Sequence, residues 1–194
     1  MPSGVAQRER GVRGDAADVC AGRASGTLGS IVLLSGAVGA GKSTVARIVA
    51  KQFDRGVHLD LDVVLHHFVV SGLDAGDPSQ IRLGLRNAAA MAVNFHDAGF
   101  AVIMEGAVPD RASVALLREA LAPRSLTVVV LAPPVEVSVE RDRVRGGKSV
   151  AHLYGHLDAQ IRWELAEEGF WLDTADLTPS ETAERVARLI SPQP

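Results

Sequence analysis

Cysteine is nearly absent: the 194 residues contain only Cys20. A lone thiol excludes an intramolecular disulfide. With no charged-then-apolar leader pattern, the expected compartment is the cytoplasm. Aromatic residues are scarce at 4%, which leaves few rings to stack on the bases of a nucleic-acid strand. No charge of one sign dominates either. A net charge of −3 argues against coating nucleic acid or an anionic membrane. No stretch reaches the roughly 18 consecutive apolar residues that suggest a membrane span.

What is present alternates. After a Gly-, Arg- and Ser-rich stretch over residues 1–28, read as a disordered tail, apolar runs and helical patterns take turns. "IVLLS" at 31–35 reads as a strand buried on both faces. "KSTVARIVAKQF" follows with helical spacing. A second strand is expected at 57–60 and a helix at about 63–70. A long helix is expected from Pro78, with Asp77 as N-cap, Gln80 as the return partner and Gly99 as its stop. The remaining pattern predicts strands at 100–105, "LTVVVLA" and "FWLDT". It predicts helices at about 110–121, from near Pro134, and at the end, where Thr178, Pro179 and Glu181 form a capping signature. Continuous apolar strands between helices imply a parallel sheet covered on both faces. Residues 29–194 are expected to form one domain.

The sharpest signal is "GAVGAGKST", Gly36 to Thr44. It satisfies G-x-x-x-x-G-K-[ST], with a buried strand leading in and a helix leading out. Gly36, Gly39 and Gly41 let the backbone wrap so that N–H groups point inward at phosphate oxygens, with Ala37, Val38 and Ala40 between them. The helix beginning at Lys42 aims its free N–H groups at the same point. Lys42 can bridge the outer phosphates, and Ser43 can complete an Mg²⁺ shell. ATP and Mg²⁺ are the expected cofactors.

With this loop, and with the motifs after it in matching order, the sequence resembles the compact nucleoside-monophosphate-kinase-like and shikimate-kinase-like group of P-loop phosphotransferases. Within that group it is similar to chloramphenicol phosphotransferase-like and uncharacterised "AAA-like" kinases over roughly residues 30–190. The resemblance implies an α/β three-layer fold with a five-stranded parallel sheet ordered 2-3-1-4-5 and a short lid at about 142–157. It implies that "HLDLD" faces the phosphate loop, with Asp60 in the metal shell and Asp62 at the acceptor hydroxyl; capping the following helix is the alternative duty for either. In "VIMEGAVPDR" the acid is Glu105 and the spacing carries an insertion relative to the adenylate kinase-like pattern. Glu105 is still placed for Mg²⁺ or the acceptor, while Asp110 reads as a helix cap. In "VEVSVERDRVRGGKSV" the resemblance puts Arg141 near adenine and Arg145 nearest the phosphates, with a solvated charged face as the plain alternative. The loop 172–179 is expected beside the adenine.

The acceptor site is expected between Asp62 and the long helix, where His66, His67, Arg82, Arg86 and Asn87 are the candidates. Arg82 and Arg86 are four apart, so they share a side of the helix and could grip an anionic group. The histidines lack Cys or Glu partners at zinc-ligand spacing. The leading expectation is a kinase for a hydroxyl of a small molecule, a metabolite or an antibiotic. Its rivals are a nucleotide-binding regulatory ATPase and a polynucleotide or nucleotide-sugar kinase. The expected partner is the small-molecule acceptor, not a membrane or nucleic acid, with the chain acting as a monomer or homodimer.

Overall fold

Five apolar runs pair side by side, all parallel. They are β1 (Ile31–Ser35), β2 (Gly56–Asp60), β3 (Ala101–Glu105), β4 (Leu126–Leu131) and β5 (Phe170–Leu172). The sheet order is β2-β3-β1-β4-β5, as expected. The structure is a computed structural model and describes residues 30–72, 77–144 and 155–190. The expected tail, and most of the expected lid with Arg145, lie outside the described residues.

Side chains alternate along each strand, so the sheet has two apolar faces. One face carries Ile31, Leu33, Val102, Met104, Val128 and Val130. It packs on α2 (Leu61–His66), α3 (Pro78–Asp97), α4 (Arg111–Leu121) and α6 (Gly155–Glu164). The other face carries Val32, Leu34, Ile103, Val129 and Leu131. It packs on α1 (Lys42–Ala50) and α7 (Pro179–Ile190). The crossover helices cover both faces because parallel strands can be joined in no shorter way. α5 (Val135–Val144) follows β4 at the edge of the sheet that carries the phosphate loop.

Local signals explain most helix ends. Asp77 accepts from the Ser79 N–H, and Asp110 accepts from the Ser113 N–H. At α7 the capping box is complete. The Thr178 hydroxyl accepts from the Glu181 N–H at 3.2 Å, and the Glu181 carboxylate accepts from the Thr178 N–H at 2.8 Å.

Three local expectations need correction. Gln80 does not return to the cap of α3; it is buried and donates to the Leu65 carbonyl at 3.0 Å, tying α3 to α2. The helix expected at 63–70 begins earlier, at Leu61, because Asp60 caps it, and it ends at His66. α6 was not expected. Its sequence is mostly polar, and among its residues only Ile161 is buried. Among the described residues, no helix is long and apolar enough to cross a membrane.

Candidate active site

The phosphate loop is shaped by what lies behind it. β1 is buried along its whole length and delivers the chain to Gly36 at the carboxyl edge of the sheet. Gly36 has φ 144°, and a Cβ there would lie 2.4 Å from the Leu131 carbonyl oxygen. Gly39 has φ 81°, and its Cβ would lie 2.0 Å from the Ser138 carbonyl oxygen on α5. Only glycine lets the loop run this close to β4 and α5.

One feature separates α1 from its neighbours. α2, α3, α4 and α7 are capped by side chains of Asp60, Asp77, Asp110 and Thr178. α1 is preceded by Gly41 in the left-handed region, with no side-chain cap. Its first amides therefore have no side-chain acceptor at that position, while the helix dipole favours an anion there.

A cleft of about 710 Å³ opens over this loop. Val38 to Val45 form its floor, including Lys42, Ser43 and Thr44. Gly36 and Ala37 shape the loop from behind, and the Ala37 carbonyl accepts from Lys42 Nζ at 2.9 Å. On one side stand Asp62, His66, Glu105 and Ala107; on the other stand Arg141, Asp142, Thr174, Leu177, Pro179 and Thr182.

The two cleft acids differ. Glu105 ends β3 and is 3% exposed. Burial pushes its carboxyl up. Hydrogen bonds from His58 and Ser43, with the charge of Lys42, outweigh that, so it sits below the usual carboxylate range. Asp62 is exposed at the first turn of α2. Its carboxyl sits above the usual range, chiefly through lost hydration. The charges of Asp60 and Glu105 add to this, and Lys42 opposes it.

Arg141 is held rigidly. Its guanidinium donates to Thr174 Oγ1 at 3.2 Å and to the carbonyls of Thr174 at 2.6 Å and Ala175 at 3.2 Å. This joins α5 to the loop after β5 and fixes the plane of a cation on the cleft wall.

Other expected residues lie elsewhere. Asp60 sits on β2 with one carboxylate oxygen turned to the head of α2, where it accepts from the N–H groups of Asp62 at 3.0 Å and Val63 at 3.3 Å. The capping alternative therefore falls to Asp60. His67, Arg82, Arg86 and Asn87 are exposed and do not line the cleft. The reason for the α3 residues is its orientation. Gly84, Leu85, Ala88, Ala89 and Ala92 turn inward, which leaves Arg82, Arg86 and Asn87 on the outer side. Two contributors went unread in the sequence. Asp142 is buried on the cleft wall, and His58 reaches Glu105 from β2. His58 stands two residues before Asp60, on the same side of its strand, and that spacing was the available signal.

The sheet order, the loop and the cleft above it define a P-loop kinase. A profile of the family described as chloramphenicol phosphotransferase-like protein matches residues 29–191. The chain belongs to that family. Among solved structures it is similar to a sugar kinase from Janibacter sp., at 23% identity and a TM-score of 0.62, covering 84% of this chain and 99% of that one. It is also similar to the Deinococcus radiodurans tunicamycin resistance protein, at 19% identity and a TM-score of 0.66, covering 85% and 97%. The Mycobacterium tuberculosis APS kinase, solved with AMPPNP and APS, matches at 21% identity and a TM-score of 0.63, covering 83% and 96%. No curated relative matches the chain.

Proposed function

We propose that this kinase moves the γ-phosphoryl group of ATP, with Mg²⁺, to a hydroxyl of a small metabolite or antibiotic-like acceptor. The observation that carries this reading is Asp62, a carboxylate in the same cleft as Lys42 and the uncapped start of α1. A site that only binds nucleotide has no use for a carboxylate there, because the phosphates repel it. A transferase does, because an in-line hydroxyl must be oriented and must lose its proton.

The roles follow from position. The loop amides and α1 hold the phosphate chain, and Lys42 bridges its outer oxygens. Arg141 and the 174–179 loop form the wall for the base. The solved APS kinase of this fold holds AMPPNP, which supports an ATP-type donor. Ser43 and Glu105 offer hard oxygen donors side by side, and Asp60 keeps one carboxylate oxygen outside its cap. That set suits Mg²⁺, which takes one or two protein oxygens and completes its shell with phosphate and water. When bound, the ion neutralises charge on the phosphates. Asp62 accepts the proton of the acceptor hydroxyl, and His66 stands beside it on the cleft wall. Arg145 is assigned to the phosphates as lid cation. Arg82 and Arg86 can meet the acceptor only from outside the cleft.

The test is ATP consumption measured against a panel of hydroxylated metabolites, sugars and antibiotics, followed by Asp62→Asn with the active acceptor. Transfer should fall by about two to four orders of magnitude, the range for losing a general base, while ATP affinity persists. Transfer by Asp62→Asn at the wild-type rate would hand the role to Asp60 or Glu105.

A further inference from the structure

We infer that His58 is a positioning residue: through Glu105 it holds the Ser43–Glu105 oxygen pair in the arrangement that receives Mg²⁺. The inference rests on the Mg²⁺–ATP reading above and adds a residue to it.

The argument starts from strand register. β2 and β3 pair with His58 opposite Ile103 and Asp60 opposite Glu105. Alternation sends Ile103, and with it Glu105, to the sheet face covered by α1. His58 occupies the matching side of β2, one diagonal step from Glu105. The step is closed by a contact of 3.4 Å between His58 Nε2 and Glu105 Oε1. A carboxylate only accepts, so Nε2 must carry the proton.

Glu105 is buried and His58 is largely shielded from water. The side chains of His58 and Glu105 are 16% and 4% exposed. A buried carboxylate needs donors or it will neutralise. Glu105 has two: the His58 ring N–H at 3.4 Å and the Ser43 hydroxyl of the phosphate loop. Asp62, by contrast, is solvent-exposed at the cleft and perturbed by partial loss of hydration and by charges, without a hydrogen-bond donor among those causes. Glu105 is thus a held carboxylate. His58 does not line the cleft, so it cannot touch the nucleotide itself. What it can do is stop Glu105 from rotating away from Ser43. Partners of this kind, one step behind the ligand, orient metal-binding carboxylates.

The test uses a non-hydrolysable ATP analogue, so it does not depend on the acceptor. Its affinity is measured by calorimetry in EDTA and over a Mg²⁺ series for wild type, His58→Ala and His58→Gln. In EDTA the three should agree within about twofold, since the loop and α1 are intact. The Mg²⁺ concentration giving half the enhancement should rise about tenfold or more in His58→Ala. His58→Gln should return to within about threefold of wild type, because its amide N–H can donate where Nε2 does. Wild-type Mg²⁺ dependence in His58→Ala would overturn the inference. Equal impairment of Ala and Gln would do so too, since it would mean that ring volume matters. A wild-type protein whose analogue binding ignores Mg²⁺ would remove the metal reading itself. If His58→Ala does not give a cooperative melt, His58→Phe replaces it under the same criteria, keeping a ring without the donor.

Discussion

The two ends of the cleft are built from different materials. The phosphate end is backbone: a glycine loop pressed between β4 and α5, and the uncapped amides of α1. The end proposed for the acceptor is side chains, Asp62 and His66 on the six-residue α2, with exposed chain following. Backbone donors fixed by a buried strand suit an anion such as a phosphate chain and leave little to vary. Side chains on a short helix can be exchanged without disturbing the sheet. The contrast explains how one fold can serve a sugar kinase, an APS kinase and a tunicamycin resistance protein.

Removing Lys42 attacks the phosphate end most directly. Lys42 is the cation that faces both Asp62 and Glu105 in the cleft. Lys42→Ala should lower transfer by about three orders of magnitude, the upper range for deleting one stabiliser of transferring charge. Steady-state kinetics with the active acceptor would show it. A rate near wild type would mean that the loop does not carry the chemistry.

Gly39→Ala tests whether the backbone itself is the device. The new Cβ would meet a carbonyl of α5, which is not a flexible side chain and cannot swing aside. The left-handed φ alone costs about 1–3 kcal/mol, and the clash adds to it. Analogue affinity should fall with it. Gly41→Ala is the control, since nothing lies within 4 Å of its Cβ. It carries only the φ penalty and should melt above Gly39→Ala. Equal melting temperatures would show that α5 does not brace the loop.

Legibility followed the same division. The strands, the loop and the caps at Asp77, Asp110 and Thr178 could be read because each is a local pattern, while the strand order came with the family resemblance. The duty of Gln80 could not, since its partner is the Leu65 carbonyl, 15 residues away. The helix α6 was missed because its pattern is polar and its apolar contact narrows to Ile161. Arg82 and Arg86 were read as acceptor ligands from their spacing. Spacing fixes which residues share a side of a helix, but not which side meets the cleft. The His58–Glu105 contact needed the β2–β3 register, a tertiary fact.

Arg82 and Arg86 therefore supply a weaker prediction. Both are exposed on α3, away from the cleft lining. The double change to Ala should alter kcat/KM by less than about threefold, as for surface substitutions in general. A loss of about 30-fold or more, well beyond that surface range, would show that α3 closes on the acceptor during turnover.

The smallest effect separates the two cleft acids by sign. Asp62 has a raised carboxyl pKa, so the folded state holds its proton more tightly than the unfolded chain does. Its contribution to stability is full below the ordinary carboxylate pKa of about 4 and is lost as pH rises through the raised value. At neutral pH the ionised Asp62 is therefore a small cost, and Asp62→Asn should melt slightly higher, by about 1–2 °C, the shift being limited because the residue is exposed. Glu105 runs the other way. Its lowered pKa means that its contribution is present above the ordinary value and is lost as pH falls through the lowered one. Glu105→Gln should melt below wild type at pH 7, and the gap should close as the pH falls through Glu105's lowered value. Melting curves of both variants at pH 7 and at pH 3 would decide. Destabilisation by Asp62→Asn at pH 7 would mean that its carboxylate is a structural partner after all. A held acid and a poised acid should respond to neutralisation in opposite directions, because one is stabilised by donors placed for it and the other stands, only partly hydrated, beside two like charges.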